Sequence, residues 1–153
     1  MTGTVEAKLA ALGITIPAAS APAANYVPFV ISGNLLWISG QISMANGSFI
    51  TGKLSGEADI EAGRAAARQC AINLIAQIKA ALSDLDRVKR VVKLVGFVNS
   101  APDFTDQPKV VNGCSDLFVE VFGDAGRHAR SAVGVAQLPF NVSVEVEAVI
   151  EFV

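Results

Sequence analysis

Hydrophobic residues recur along this 153-residue chain with two distinct periods. Val5, Leu9 and Leu12 fall at i, i+4 and i+7 and Gly13 follows, which predicts a short amphipathic helix with a glycine stop. Residues 14–25, rich in Ala, Pro and Ser, predict an irregular arm. Residues 27–32 and 35–39 read as strands joined at Ser32–Gly33–Asn34, a hairpin signal. Gly40 and Asn46–Gly47 read as turns, with Phe49–Ile50 as a short third strand. From Glu57 to about Leu85 the apolar stripe becomes helical, with Ser55 and two acidic residues at its start. Residues 90–99 form a strand that is apolar on both faces, as in the interior of a sheet. Residues 103–108 predict a polar loop and residues 109–122 a second long helix ended by Gly123. Two last strands, 129–138 and 142–153, are joined at Pro139–Asn141, and the final one alternates cleanly.

The order helix, β, β, α, β, α, β, β predicts one α+β domain: a mixed sheet with two main helices on one face, preceded by an N-terminal helix and arm over residues 1–20. The other face of the sheet then has no cover from within the chain, and self-association is the simplest way to supply it.

Composition sharpens that expectation. Apolar residues make up 52% and charged residues only 17%, against a usual charged share of about 25%. A folded monomer of this mass exposes roughly 7,400 Å², so its charge cover is thin. Net charge is −2 with no basic stripe, which argues against a nucleic-acid partner. Two cysteines, Cys70 and Cys114, and a single histidine exclude a disulfide framework and give no metal-ligand cluster; neither metal nor cofactor is expected. Residues 9–52 carry no charged side chain, but prolines and glycines interrupt them, so neither a membrane span nor a secretory signal is expected. A reducing, cytoplasmic setting fits.

The segment Gly126-Arg127-His128-Ala129-Arg130-Ser131-Ala132-Val133-Gly134-Val135-Ala136 holds the most chemistry. Period-two alternation puts Arg130 on one face with Ala132, Gly134 and Ala136, a guanidinium over a floor of small residues. Such an arginine either anchors a ligand carboxylate in bidentate fashion or pairs with a structural acid. Glu145 shares the polar face of the last strand with Glu147 and Glu151; it is either an acid–base group or part of a solvated face. The hairpin at Pro139–Asn141 would lay the Arg130 and Glu145 strands side by side. His128, beside two arginines, reads as a structural or bystander group, and both cysteines as packed thiols.

Three blocks carry a resemblance to the Rid family, also called YjgF-like and known as endoribonuclease L-PSP. The first runs from Ala21-Pro22-Ala23-Ala24-Asn25-Tyr26-Val27 to Gly33-Asn34-Leu35-Leu36-Trp37-Ile38-Ser39-Gly40-Gln41. The second is the helix, strand and Val111-Asn112 region. The third, the most specific, is Ala129-Arg130-Ser131-Ala132-Val133-Gly134-Val135-Ala136-Gln137-Leu138-Pro139 with Val144-Glu145-Val146-Glu147-Ala148. The likeness spans residues 21–153 and is nearest to a longer-chain subgroup. It implies a chorismate-mutase-like fold, a homotrimer with clefts between subunits, and hydrolysis of reactive enamine/imine intermediates such as 2-aminoacrylate to 2-oxo acids and ammonia. Carried over, Arg130 would grip the substrate carboxylate and Glu145 would position the attacking water. Tyr26, Ser39 and Asn112 would line the cleft, with the backbone at Ala132 touching the ligand. Many members have cysteine at the position of Ala132, which leaves open an alternative: a non-catalytic trimer that binds a small carboxylate metabolite. A ribonuclease, the activity in the older family label, fits poorly with the acidic balance.

Overall fold

The computed structural model describes residues 3–22 and 24–153; Met1 and Thr2 of the N-terminal unit, and Ala23 of the first family block, lie outside the described residues. The chain runs α1 (Thr4–Ala11), β1 (Phe29–Ser32), β2 (Leu35–Ile42), β3 (Met44–Ala45), β4 (Ser48–Phe49), α2 (Ile60–Leu82), β5 (Val88–Asn99), α3 (Gln107–Phe122), β6 (Ala129–Val135) and β7 (Val144–Phe152). It is the expected α+β architecture. Five strands form one sheet in the order β1-β2-β7-β5-β6, and β3 and β4 make a separate small hairpin.

Alternation decides which side of the sheet is covered. Val144, Val146, Ala148 and Ile150 of β7, Leu36 and Ile38 of β2, and Leu94 and Val98 of β5 are buried beneath α2 and α3. The alanines of α2 let it lie close: Ala66, Ala67 and Ala71 have no exposed surface. Val5 and Leu9 of α1 join the same core. The start of α1 is held from far along the chain, since Asp86 accepts the backbone N–H of Thr4 at 2.7 Å and of Val5 at 2.9 Å. Those two bonds hold the Asp86 carboxyl below its ordinary range.

The opposite face stays open among the described residues. Val30 and Trp37 are 51% and 49% exposed there, and Val95 and Phe97 of β5 are only half-buried. β5 therefore sits inside the sheet as expected but is dry on one side alone. No described helix is long and apolar enough to cross a membrane. Both cysteines are free and buried; Cys70 donates to Val144 O, and burial pushes both thiols up.

One expectation of the topology fails. The strands carrying Arg130 and Glu145 do not pair, because β5 lies between them. β6 runs parallel to β5 and β7 antiparallel to it, so residues 136–143 arch over the end of β5. Asn99 pins that arch. Its side-chain amide donates to Asn141 Oδ1 and Val142 O, each at 3.1 Å, and its backbone N–H to Ser143 O at 2.9 Å. An apolar strand with two free edges gains more by taking a neighbour on each side than by leaving β6 and β7 as an isolated hairpin.

Candidate functional site

Glu145 is the first residue after Val144 on β7 and faces away from α2 and α3. Opposite it, β2 bulges: Ile38 pairs Ala148 and Gln41 pairs Val146, so Ser39 and Gly40 together face Glu147. The bulge presses Gly40 against the Glu145 side chain. A methyl group at residue 40 would overlap a carboxylate oxygen and stand 2.9 Å from Cδ. Gly40 is thus a close-approach glycine inside a strand, not the expected turn, and a lone strand glycine is the signal that points to it. Burial, with the nearby Glu147 charge adding to it, raises the Glu145 pKa.

Glu145, Ser39, Gly40 and Tyr26 line one cavity of about 430 Å³. Ser39 Oγ donates to Val27 O at 2.8 Å, which ties β2 to the segment carrying Tyr26. The Tyr26 side is open, the residue being 51% exposed.

Arg130 stands elsewhere, on β6 under α3. Its Nη1 donates to Asn112 Oδ1 at 2.7 Å and to Ser115 Oγ at 3.2 Å, and Nη2 reaches Pro108 O at 3.5 Å. Asn112 and Ser115 are one turn apart on α3, and Pro108 precedes them by another, so one helical stripe receives the guanidinium. Every one of these acceptors is uncharged. Among the described residues no carboxylate lies within 4 Å of Arg130, so the structural ion pair that was one reading of this arginine is not what holds it.

Ser115 was not singled out by sequence reasoning, although its i+3 spacing from Asn112 marks it. It also engages His128. The His128 Nδ1 lies 2.7 Å from Gly126 O and Nε2 lies 2.8 Å from Ser115 Oγ. A carbonyl only accepts, so Nδ1 carries the proton, and in the neutral ring Nε2 accepts the Ser115 hydroxyl. Burial lowers the His128 pKa and Arg130 adds to that, which favours the neutral ring. His128 is therefore the far end of a chain that orients Arg130, rather than a bystander.

Ala132 lies two residues beyond Arg130 on the same face, half-buried against the core. The floor of small residues is not vacant along its length. A methyl at Gly134 would stand 2.6 Å from Gln107 Nε2 and 3.0 Å from Ser100 Oγ, so α3 and the end of β5 occupy that part.

The six candidate residues thus fall into two groups, Tyr26 with Ser39 and Glu145, and Arg130 with Asn112 and Ala132. In register, Arg130 aligns with Leu94 and Ala148, and Glu145 with Phe97 and Val133. Two strand spacings and three residues of rise separate the two by about 14 Å, on opposite faces of the sheet. One chain does not bring them together.

Residues 6–152 match the family model described as "YjgF/chorismate_mutase-like, putative endoribonuclease". The chain belongs to this family. Among its curated relatives, protein TCP17 of Trypanosoma cruzi is 56% identical over 98% of this chain and 95% of its own. The 2-iminobutanoate/2-iminopropanoate deaminase of Dermatophagoides farinae is 31% identical over 90% and 93%. Among solved structures of the YjgF-like fold, Atu1372 of Agrobacterium tumefaciens, a protein of unknown function, superposes with a TM-score of 0.91 at 50% identity, covering 98% of this chain and 93% of its own. TdcF of E. coli, solved with bound serine, has a TM-score of 0.63 at 26% identity over 88% and 94%.

Proposed function

We propose that this YjgF-like protein hydrolyses small imino acids at clefts between copies of the chain in a homotrimer. The observation that carries the reading is the cation at Arg130. It is held by three neutral oxygens, keeps N–H groups to spare, and has no acid paired with it among the described residues, so an anionic ligand is its natural partner. A family member named for imine deamination and another that holds serine, itself a carboxylate, support the same direction. The 14 Å gap within one chain is well beyond hydrogen-bond reach, so Arg130 of one copy would work with Glu145, Ser39 and Tyr26 of the next. The open sheet face around the exposed Val30 and Trp37 is the surface such copies would share.

In this reading Arg130 fixes the substrate carboxylate and its orientation. Glu145, its basicity raised by burial, takes a proton as water attacks the imine carbon. Glu145 returns that proton to the adduct's nitrogen, the C–N bond breaks as the carbonyl forms, and the hydroxyl proton passes through Glu145 to the departing ammonia, which leaves as ammonium. The balance is R–C(=NH2+)–COO− plus H2O giving R–CO–COO− plus NH4+. No covalent nucleophile is involved, so Ala132 at the position of the family's common cysteine leaves the chemistry intact.

The test is the disappearance of 2-iminopropanoate generated in situ. Wild type accelerates it. Arg130→Ala loses about 100-fold in kcat/KM, the equivalent of about 3 kcal/mol for a charged hydrogen-bonded contact. An Arg130→Ala variant as fast as wild type refutes the assignment. Thermal stabilisation by 2-oxo acids without turnover of any imine would instead favour a non-catalytic carboxylate binder.

A further inference from the structure

The cavity beside Glu145 is far roomier than a three-carbon imino acid needs. Its volume of about 430 Å³ lies within the roughly 300–1,000 Å³ range that holds drug-sized ligands, before any second copy adds a wall. Its polar lining includes Ser39, Gln41 and Glu145. Pro28, Met44, Phe49 and Phe140 supply its apolar lining, with the Tyr26 ring beside them. Asn73, which also borders it, has its amide committed to Ile42 O and Met44 O at 3.1 and 3.0 Å.

Phe49 and Phe140 form a built wall. Their rings stack at 4.7 Å between centroids with 12° between planes, and both are exposed, Phe140 to 61%. Phe140 is held there against backbone preference. It has φ 58° and ψ 17°, and Asn141 follows with φ 57°, two successive left-handed non-glycine residues. The left-handed region is unfavourable for a side chain with a Cβ, and Phe is not a residue that eases that cost. The Gly52 N–H to Asn141 O bond at 2.9 Å and the Asn99 contact to Asn141 Oδ1 hold the conformation. A glycine at residue 140 would relieve the strain, yet the chain spends it to keep an aromatic ring at the cavity rim.

We infer that the Phe49–Phe140 pair is a side-chain subsite and that the substrates are imino acids bearing an aromatic or bulky apolar side chain. This deepens the hydrolase reading and rests on it for the reaction: carbon–oxygen bond formation by water and loss of ammonium are as written above, with R the group that lies on the stacked rings. Two aromatic faces and a methionine give such a group the contacts that a methyl cannot fill. Discrimination of tenfold or more is the expected scale for several buried carbons.

The experiment generates 2-imino-3-phenylpropanoate and 2-iminopropanoate separately with an amino-acid oxidase and follows each with wild type, Phe140→Gly and Phe49→Ser. Glycine accepts φ 58° freely, so Phe140→Gly keeps the loop. Wild type should show kcat/KM at least tenfold higher for the phenyl substrate, and either variant should collapse that ratio about tenfold. A wild-type ratio near one, or a ratio unchanged in both variants, overturns the inference while leaving the hydrolase reading standing. If neither imine is turned over, the hydrolase reading fails, and calorimetry with 2-oxo-3-phenylpropanoate and pyruvate decides the subsite. Tighter binding of the phenyl acid, lost in Phe140→Gly, sustains it; equal binding overturns it.

Discussion

Gly40→Ala isolates the position of one carboxylate from everything else in the protein. Gly40 is absent from the residues with positive φ, so alanine meets no backbone penalty there. The three atoms nearest the added methyl all belong to Glu145: it overlaps a carboxylate oxygen and stands 2.9 Å from Cδ and 3.1 Å from Cγ. Ordinary carbon contacts lie near 3.5–4.0 Å, so the carboxylate must retreat by about 1 Å. A misplacement of that size at a reacting group costs on the order of 100-fold in rate, about 2.7 kcal/mol of barrier. The stability ledger is nearly level. Displacing Glu145 from its rotamer costs about 0.5–1.5 kcal/mol, and alanine returns about 0.4–1 kcal/mol by restricting the unfolded chain. For a domain of this size the melting temperature should therefore shift by no more than about 4 °C. The assay pairs kcat on an in situ imine with thermal unfolding of the same sample. A kcat within twofold of wild type in a folded variant would show that the Glu145 carboxylate does not act from the place where Gly40 makes room for it.

Four other outcomes follow from the same geometry. Because burial and then Glu147 hold the Glu145 pKa above its ordinary 4.5, activity should fall as pH drops through that raised value, and Glu147→Gln should move the acid limb of kcat/KM to lower pH; a limb that stays put refutes the coupling. Ser115→Ala removes one acceptor from Arg130 and the link to His128, so KM for the imine should rise about fivefold with kcat little changed, as one net hydrogen bond of about 1 kcal/mol requires. Trp37→Glu puts a charge on the open sheet face and should turn a trimer at micromolar concentration into monomers in sedimentation, with activity lost in step; wild-type monomers would remove the need for an interfacial site. Asp86 has a lowered folded pKa, so its stabilising effect is complete above the unfolded value near 3.8 and is lost as pH falls through the folded one; Asp86→Asn should lower the melting temperature near pH 7, and the difference from wild type should shrink as pH falls below 3.8.

The elements that rest on local periodicity were legible in the chain. The Val5/Leu9 helix, the long alanine-rich helix and the alternation of β7 each report a local burial pattern, and each stands within a few residues of its expected span. The pairing of β6 was not legible, because a short link such as Pro139–Asn141 looks like a hairpin whether or not a third strand enters between its arms. What admits that strand is the Asn99 side chain, 42 residues from Asn141, and periodicity carries no information at that separation. The same holds for Asp86 at the start of α1 and for Gly40 against Glu145. Arg130 and Glu145 were legible as chemistry, since a guanidinium among alanines and glycines and a carboxylate on a strand start stand out by type. Their separation was not, because it depends on which strand fills the space between them.

That separation links the shortage of charge to the chemistry. The chain exposes 7,635 Å², close to the roughly 7,400 Å² of a compact monomer of its mass, so each subunit is itself compact. The open side of the sheet mixes exposed Trp37 and Val30 with Lys93, Glu147 and Ser39, and the candidate residues Arg130 and Glu145 lie on opposite faces of the same sheet. A single assembly step answers both. In the proposed trimer, burying the exposed Trp37 and Val30 would supply association energy, and one copy's Arg130 edge set against the next copy's Glu145 cavity would join a cation held by neutral groups to a carboxylate whose pKa burial raises. In a monomer each half is electrostatically unfinished. An anion at Arg130 would lack a base, and the Glu145 cavity would lack the charge that holds a carboxylate in place. Catalysis and association should therefore be lost together when the face is altered. When Ser115 is altered, activity alone should fall, since it lies on α3, on the covered side of the sheet.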